Sequence, residues 1–336
     1  MSLKEFEIDG RKLSQNDPCY IIAEAGSNHN GALDQAKKLV DVAKEAQCDA
    51  VKFQMFKAEV LCPDETSDTY SILKKFEFKR EWLEELKSYC GSQHISLLMT
   101  PFDTDAIDLM TQHQIPAIKW GSSEITKFNQ LIYAAKTGLP MLVSTGMADL
   151  ADIYEAVEVL NQIPSSTYSL FHCVSVYPTP AEEMNLAFMD TLERNFGCLV
   201  GLSDHSLGIH LPVAAVARGA KLIEKHFTLS RDLEGPDHSY ALEPKELIEM
   251  VHSIRETEKA IGTSKKIIQP LEAKHGRRNG IYLKKDLPKG EEITEDKIEL
   301  KPPATGVRAR FKDAVLGLKT NKKISAKTAL QWENLV

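Results

Sequence analysis

The chain has 336 residues, 43% of them apolar and 26% charged, which suits one large domain with a small one, or two equals. Its 41 Lys and Arg against 48 Asp and Glu leave a net charge of −7 at pH 7, without the basic excess that general nucleic-acid binding needs. The longest apolar runs, such as CYIIA at 19–23, fall far below the ~18 residues of a membrane span, and the initial MSLKEFEIDG has no apolar signal core; a cytoplasmic protein with no membrane and no nucleic-acid partner is expected.

In chain order, FEIDGRKL (6–13) alternates around an Asp-Gly turn and reads as a hairpin able to plug one end of a barrel. Eight short apolar, β-branched runs follow: CYIIAE (19–24), AVKFQM (50–55), ISLLMT (95–100), PAIKWG (116–121), PMLVST (140–145), YSLFHCV (168–174), CLVGLS (198–203) and KLIEKHF (221–227). Amphipathic helical patterns lie between them at 33–46, 81–90, 129–138 and 150–160, and another closes the series at 245–262. Eight strand-helix units predict an α/β fold, a (β/α)8 TIM barrel over residues 1–265 including the hairpin. A doubly wound sheet usually has fewer strands and a glycine-rich first turn. The polar stretch TSKKIIQPLEAKH (263–275) reads as a linker, and the lysine-rich turns and short strands of 276–336 as a separate small domain.

In such a barrel the active site lies at the C-terminal ends of the strands, and here those ends are polar. Lys52 and Gln54 sit two apart on one strand and so share a face. Lys119, Ser122, Ser144 and Ser203 end other strands. Single hydroxyls such as Thr104 and Thr145 are read as helix caps. Two inward lysines are different, because an unpaired buried ammonium is costly and wants an anion. Lys52, Lys119, Ser122, Ser144 and Ser203 together make a pocket for a phosphate, a carboxylate or both. His205 and His226 end adjacent strands, close enough to share one divalent ion while leaving positions open for water and substrate. Asp204 and Asp237 are candidates to support the histidines or to act as a base, against the usual reading of a carboxylate beside a turn as a cap or a solvated charge; Arg277 and Arg278 belong to a basic run that is either a solvated face, its usual meaning, or faces an anionic substrate across a subunit boundary. The six cysteines form no CxxC pair, which suits reduced, buried thiols.

The motifs IIAEAGSNHNG (21–31), VKFQ (51–54), TPFD (100–103), IKWGSSE (118–124), VSTGM (143–147), HCVSVYPTP (172–180), GLSDHS (201–206) and EKHFTLSRDLEGPDHSYALEP (224–244) resemble those of the sialic acid synthase family, the nonulosonate synthases. KKDLPKGEEITEDKIELKPP (284–303) resembles that family's antifreeze-like, or SAF, domain. The resemblance runs through nearly the whole chain in the family's order. It implies condensation of phosphoenolpyruvate with an N-acetylated hexosamine of the N-acetylmannosamine type, giving a sialic-acid-like nonulosonate and phosphate. It also implies a divalent metal ion, Mn2+ before Mg2+ or Co2+, and a domain-swapped homodimer.

Residue by residue, the resemblance implies that Lys52, Lys119, Ser122, Ser144 and Ser203 hold phosphoenolpyruvate, and that Glu24, Gln54 and Glu124 face the reacting centre or the sugar. His205 and His226 then hold the metal, with Glu24 a proton-transfer group and Asp237 near the sugar. Three departures bear on this. Ser175 stands where some members place an asparagine on phosphoenolpyruvate. The segment 61–78 is shorter than in many relatives. Lys301-Pro302-Pro303-Ala304 replaces Lys-Arg-Pro-Gly, so the tail arginine is absent, and Arg308 and Arg310 are the candidates to substitute for it. The first keeps a hydrogen-bonding group; the other two bear on the sugar. Other acceptors keep the same chemistry: a mannosamine 6-phosphate, a legionaminate or pseudaminate precursor, or a spore-coat sugar. GSSE at 121–124 favours the neuraminate or legionaminate side. A non-catalytic carbohydrate- or ice-binding protein would need neither the inward lysines nor the histidine pair.

Overall fold

The computed structural model describes residues 5–275 and 277–336. The first four residues, part of the N-terminal stretch read for a signal core, and Gly276, where the small domain was expected to begin, lie outside it. Two strands, β1 (Phe6–Ile8) and β2 (Arg11–Leu13), pair antiparallel across the Asp9-Gly10 turn, both of whose residues have positive φ, as a two-residue hairpin requires. Eight parallel strands follow: β3 (Tyr20–Gly26), β4 (Ala50–Met55), β5 (Ser96–Pro101), β6 (Ile118–Trp120), β7 (Met141–Ser144), β8 (Tyr168–Cys173), β9 (Val200–Asp204) and β10 (Leu222–His226). They close into a barrel because β10 pairs with both β9 and β3. All eight expected strands are present.

Helices Leu33–Glu45, Leu83–Gln93, Phe128–Lys136, Leu150–Asn161 and Pro244–Ile261 form where the sequence period predicts them. Three more, Thr104–Gln112, Phe188–Phe196 and His210–Ala217, complete the ring. The last shows no apolar stripe in HLPVAAVA, since nearly every residue is apolar, so periodicity could not mark it. Thr104 does not cap its helix: Asp103 does, its carboxylate accepting from Ala106 N. Thr145 is no cap either, because its hydroxyl donates to the Phe171 carbonyl at 2.9 Å.

Alternation along the strands sorts the barrel into two cores. Outward residues such as Val51, Phe53, Met99, Val143, Leu202 and Ile223 meet the helices. Inward residues near the strand starts, among them Tyr20, Ile22, Ala50, Leu98, Leu142, Phe171 and Leu222, pack with Phe6, Ile8 and Leu13 of the hairpin. The hairpin therefore stops the N-terminal end with apolar side chains, and only the C-terminal end is left for polar ones. Among the described residues no helix is long and apolar enough to cross a membrane.

Two compact units divide between Gly262 and Thr263. The second, Thr263–Val336, has its own core of Ile281, Leu283, Leu287, Ile293, Ile298, Val315 and Leu330. In it β11 (Gly280–Leu283) pairs antiparallel with β12 (Ile298–Lys301). The stretch read as a linker contains a short helix, Pro270–His275, with all of its side chains exposed.

Candidate active site

The inward alternation continues up each strand and changes from apolar to polar. On β3 it runs Tyr20, Ile22, Glu24; on β4 Ala50, Lys52, Gln54; on β10 Leu222, Glu224, His226. The register levels these tips, Glu24 pairing with Lys52 on one side and His226 on the other. They line a cleft of about 320 Å³ together with Thr100, Lys119, Ser122, Ser144, Cys173, Ser175, Ser203 and His205. A larger hollow of about 570 Å³ at the other end of the barrel is edged by the loop 15–18, the turn 216–221 and the end of the last helix. Its Lys221 is spent on the Asp17 carbonyl at 3.0 Å, and the inward polar tips are all at the opposite end.

Both lysines are buried and partnered. Lys52 Nζ lies 2.9 Å from Glu24 Oε1 and 3.8 Å from Glu224 Oε2, and donates to Thr100 Oγ1 at 2.8 Å. Lys119 Nζ donates to Ser144 Oγ at 2.6 Å and lies 3.4 Å from Glu224 Oε1. Gln54 donates to Glu24 Oε1 at 2.7 Å, and the Ser203 hydroxyl to Glu224 Oε1 at 3.1 Å. Burial pushes the Glu24 carboxyl above its usual range, more than the facing Lys52 draws it down. Glu224 is equally buried, but Lys119 and Lys52 together outweigh that burial and hold its carboxyl low. Burial lowers Lys119. Two ammoniums thus face two carboxylates, a ladder that an entering anion can re-partner.

His205 and His226 stand with ring centroids 5.5 Å apart. His205 Nδ1 donates to the Val174 carbonyl at 2.8 Å, which leaves Nε2 as the nitrogen that can ligate a metal ion. His226 Nδ1 is buried without a hydrogen-bond partner. A buried orphan nitrogen beside a second imidazole fits a divalent ion as missing partner. Among the described residues no cluster of three or more His, Cys, Asp or Glu gathers, so such an ion would take most of its ligands from water and substrate. Tyr177 and Tyr240 wall the pair, their rings 4.0 Å from His205 and 5.3 Å from His226.

Of the residues singled out by sequence, ten meet in the cleft: Glu24, Lys52, Gln54, Lys119, Ser122, Ser144, Ser175, Ser203, His205 and His226. Two are not on its wall. Glu124 is buried and ion-paired with Lys127 at 2.6 Å. Asp237 accepts from Ser27 N at 3.0 Å and from the Tyr240 hydroxyl at 2.8 Å. It closes on the strand tips at Gly26: a Cβ there would fall 2.6 Å from Asp237 Oδ2 and 3.3 Å from His226 Cε1, at a φ of +52°. Only glycine tolerates that position. Arg277 and Arg278 are exposed. The sequence reading missed Glu224, Cys173, Tyr177 and Tyr240. Glu224 carried a usable signal, two residues before His226 and hence on the same face.

Residues 39–266 match the NeuB family and residues 278–336 the SAF domain. The chain is 38% identical to the N,N'-diacetyllegionaminic acid synthase of Legionella pneumophila, over 94% of each chain. Among solved structures, it resembles the N-acetylneuraminic acid (sialic acid) synthetase of Leptospira borgpetersenii with a TM-score of 0.77 and 34% identity, covering 81% of this chain and 95% of that one. It resembles the spore coat polysaccharide biosynthesis protein SpsE of Bacillus subtilis with a TM-score of 0.70 and 36% identity over 99% of each.

Proposed function

Because this chain belongs to the NeuB family, with a SAF domain at its C-terminus, we propose that it condenses phosphoenolpyruvate with the open-chain form of an N-acetylmannosamine-type hexosamine. The products are a sialic-acid-like nonulosonate and inorganic phosphate. The observation that carries this reading is the pair of buried lysines among hydroxyls in the same cleft as the two histidines. The first set suits a small polyanion and the second an electrophile that must be polarised.

The new bond joins C3 of phosphoenolpyruvate to the aldehyde carbon, water adds at C2, and the bond from C2 to the phosphate oxygen breaks. Lys52 and Lys119 neutralise the phosphate and carboxylate, with Ser122, Ser144, Ser175 and Ser203 as hydrogen-bond partners. Glu24, held by Gln54 and raised by burial, is the proton-transfer group. Glu124 and Asp237 act on the sugar side. A divalent ion, manganese before magnesium or cobalt, held by His205 and His226, would act as a Lewis acid on the aldehyde oxygen. The chain works in the cytoplasm as a domain-swapped homodimer. Arg308 or Arg310, both exposed in the small unit, stands in for the missing tail arginine.

The relative from Legionella is named for a diacetylated legionaminic acid, which supports a second reading in which the acceptor is a diacetamido-trideoxy hexose. Phosphate release from phosphoenolpyruvate, followed over a panel of both acceptor types with and without Mn2+, tests the proposal. Release that needs both a sugar and the ion is expected, and the preferred acceptor decides between the readings. Release from phosphoenolpyruvate alone, or no release with either acceptor type, overturns it.

A further inference from the structure

The outward positions of the barrel strands are apolar along most of their length, as at Val51, Met99, Val143, Leu202 and Ile223. At the tips of β9 and β10 they are not. Asp204 and Lys225 face each other there in register, each 1% exposed. Lys225 Nζ lies 2.6 Å from Asp204 Oδ2 and also donates to the Ser206 carbonyl. Asp204 Oδ1 accepts from Ser206 N at 2.9 Å, and Oδ2 from the Ser206 hydroxyl at 3.0 Å. The pair thus grips the backbone on both sides of His205 and the residue just before His226.

A buried ion pair is a poor source of stability, because desolvating both charges offsets their attraction and well-packed apolar side chains do as well. What it supplies that Leu202 or Ile223 could not is direction. Hydrogen bonds to one carboxylate from the turn that follows its strand and from the neighbouring strand fix the relative height of two strand ends, and a two-imidazole site depends on that spacing. We propose that Asp204 and Lys225 are positioning residues that hold His205 and His226 at the separation a shared divalent ion needs. This rests on the metal reading above.

The test is Mn2+ binding to the full-length chain, followed by loss of the free-ion EPR signal, alongside the thermal midpoint. Wild type should bind Mn2+ at a site that His226→Ala removes. Lys225→Met should weaken that site about 10- to 100-fold. If the single variant fails to fold, the Asp204→Asn, Lys225→Met double variant, which leaves no unpaired charge, should show the same loss. Asp49→Ala, at the opposite end of the barrel, should lower the thermal midpoint and leave Mn2+ affinity unchanged. Wild-type affinity in Lys225→Met or the double variant overturns this proposal alone, as does an equal loss in Asp49→Ala, which would make the effect general destabilisation. Wild type with no His226-dependent Mn2+ binding overturns the metal reading, and this proposal with it.

Discussion

Lys119 Nζ lies 3.4 Å from Glu224 Oε1, with both side chains buried inside the barrel. The contact joins strands on opposite sides of the ring, so the ammonium is held within the cleft at the level where an anion would enter. Replacing Lys119 with Ala removes one of two cations and leaves Glu224 with Lys52 alone. A charged hydrogen bond is worth about 1.5–3 kcal/mol, so the KM for phosphoenolpyruvate should rise roughly 10- to 150-fold. An unchanged KM would remove Lys119 from the anion pocket.

His226 presents its buried, unpartnered Nδ1 beside the His205 ring. His226→Ala should lower turnover at least ~100-fold by removing half of a two-residue metal site, and added Mn2+ should not restore it. Chelation should silence the wild type, and Mn2+ should revive it. Undiminished turnover of the variant in steady-state assays would sink the assignment.

Gly146 donates its N–H to Ser122 Oγ at 3.0 Å, and a Cβ on it would lie 2.3 Å from Ser175 Oγ and 2.8 Å from Ser122 Oγ. Gly146→Ala should push both hydroxyls from the cleft wall. The expected result is a KM for phosphoenolpyruvate raised about tenfold, the worth of one hydrogen bond, with the thermal midpoint little changed. Kinetics equal to wild type would mean that neither serine touches the substrate.

At the other end of the barrel Asp49 ties the hairpin, β3 and the helix Pro244–Ile261 together. Its carboxylate pairs with Arg11 and with Arg255 at 3.1 Å, and accepts from Ile21 N at 2.7 Å. Asp49→Ala leaves two arginines and a backbone N–H without it. A loss of about 2–4 kcal/mol is expected by denaturant unfolding, with both KM values unchanged. A loss below ~1 kcal/mol would show the network to be as weak as an exposed ion pair.

Burial pushes the thiols of Cys19 and Cys48, and likewise Cys90, up to about 12 from an ordinary 9. The folded state thus holds protons that the unfolded state releases above pH 9, so the stability these groups contribute is complete below that value and is lost as pH climbs towards 12. The urea midpoint should fall steadily from pH 9 upward, and all three thiols should resist alkylation at pH 8 until the chain unfolds. Rapid native-state labelling of any of them would contradict their burial.

Much of this was written locally. The two-residue period puts Lys52 and Gln54 on one face, and the alternation of β-branched runs with amphipathic stretches marks the barrel, because both signals come from neighbours in the chain. Residues whose role depends on a distant partner were not legible. Glu224 became a counter-charge only when closure of β10 against β3 and β9 set it between two lysines from β4 and β6. Asp204 was open between supporting the histidines, acting as a base and merely capping a turn until its partner proved to be Lys225, and Tyr177 and Tyr240 reach the histidines from separate loops. The sequence by itself determined which side chains point inward and that two of them are cations. Tertiary structure alone decided which carboxylate meets which ammonium, because register and closure are non-local and Coulomb energy in a buried site turns on ångströms.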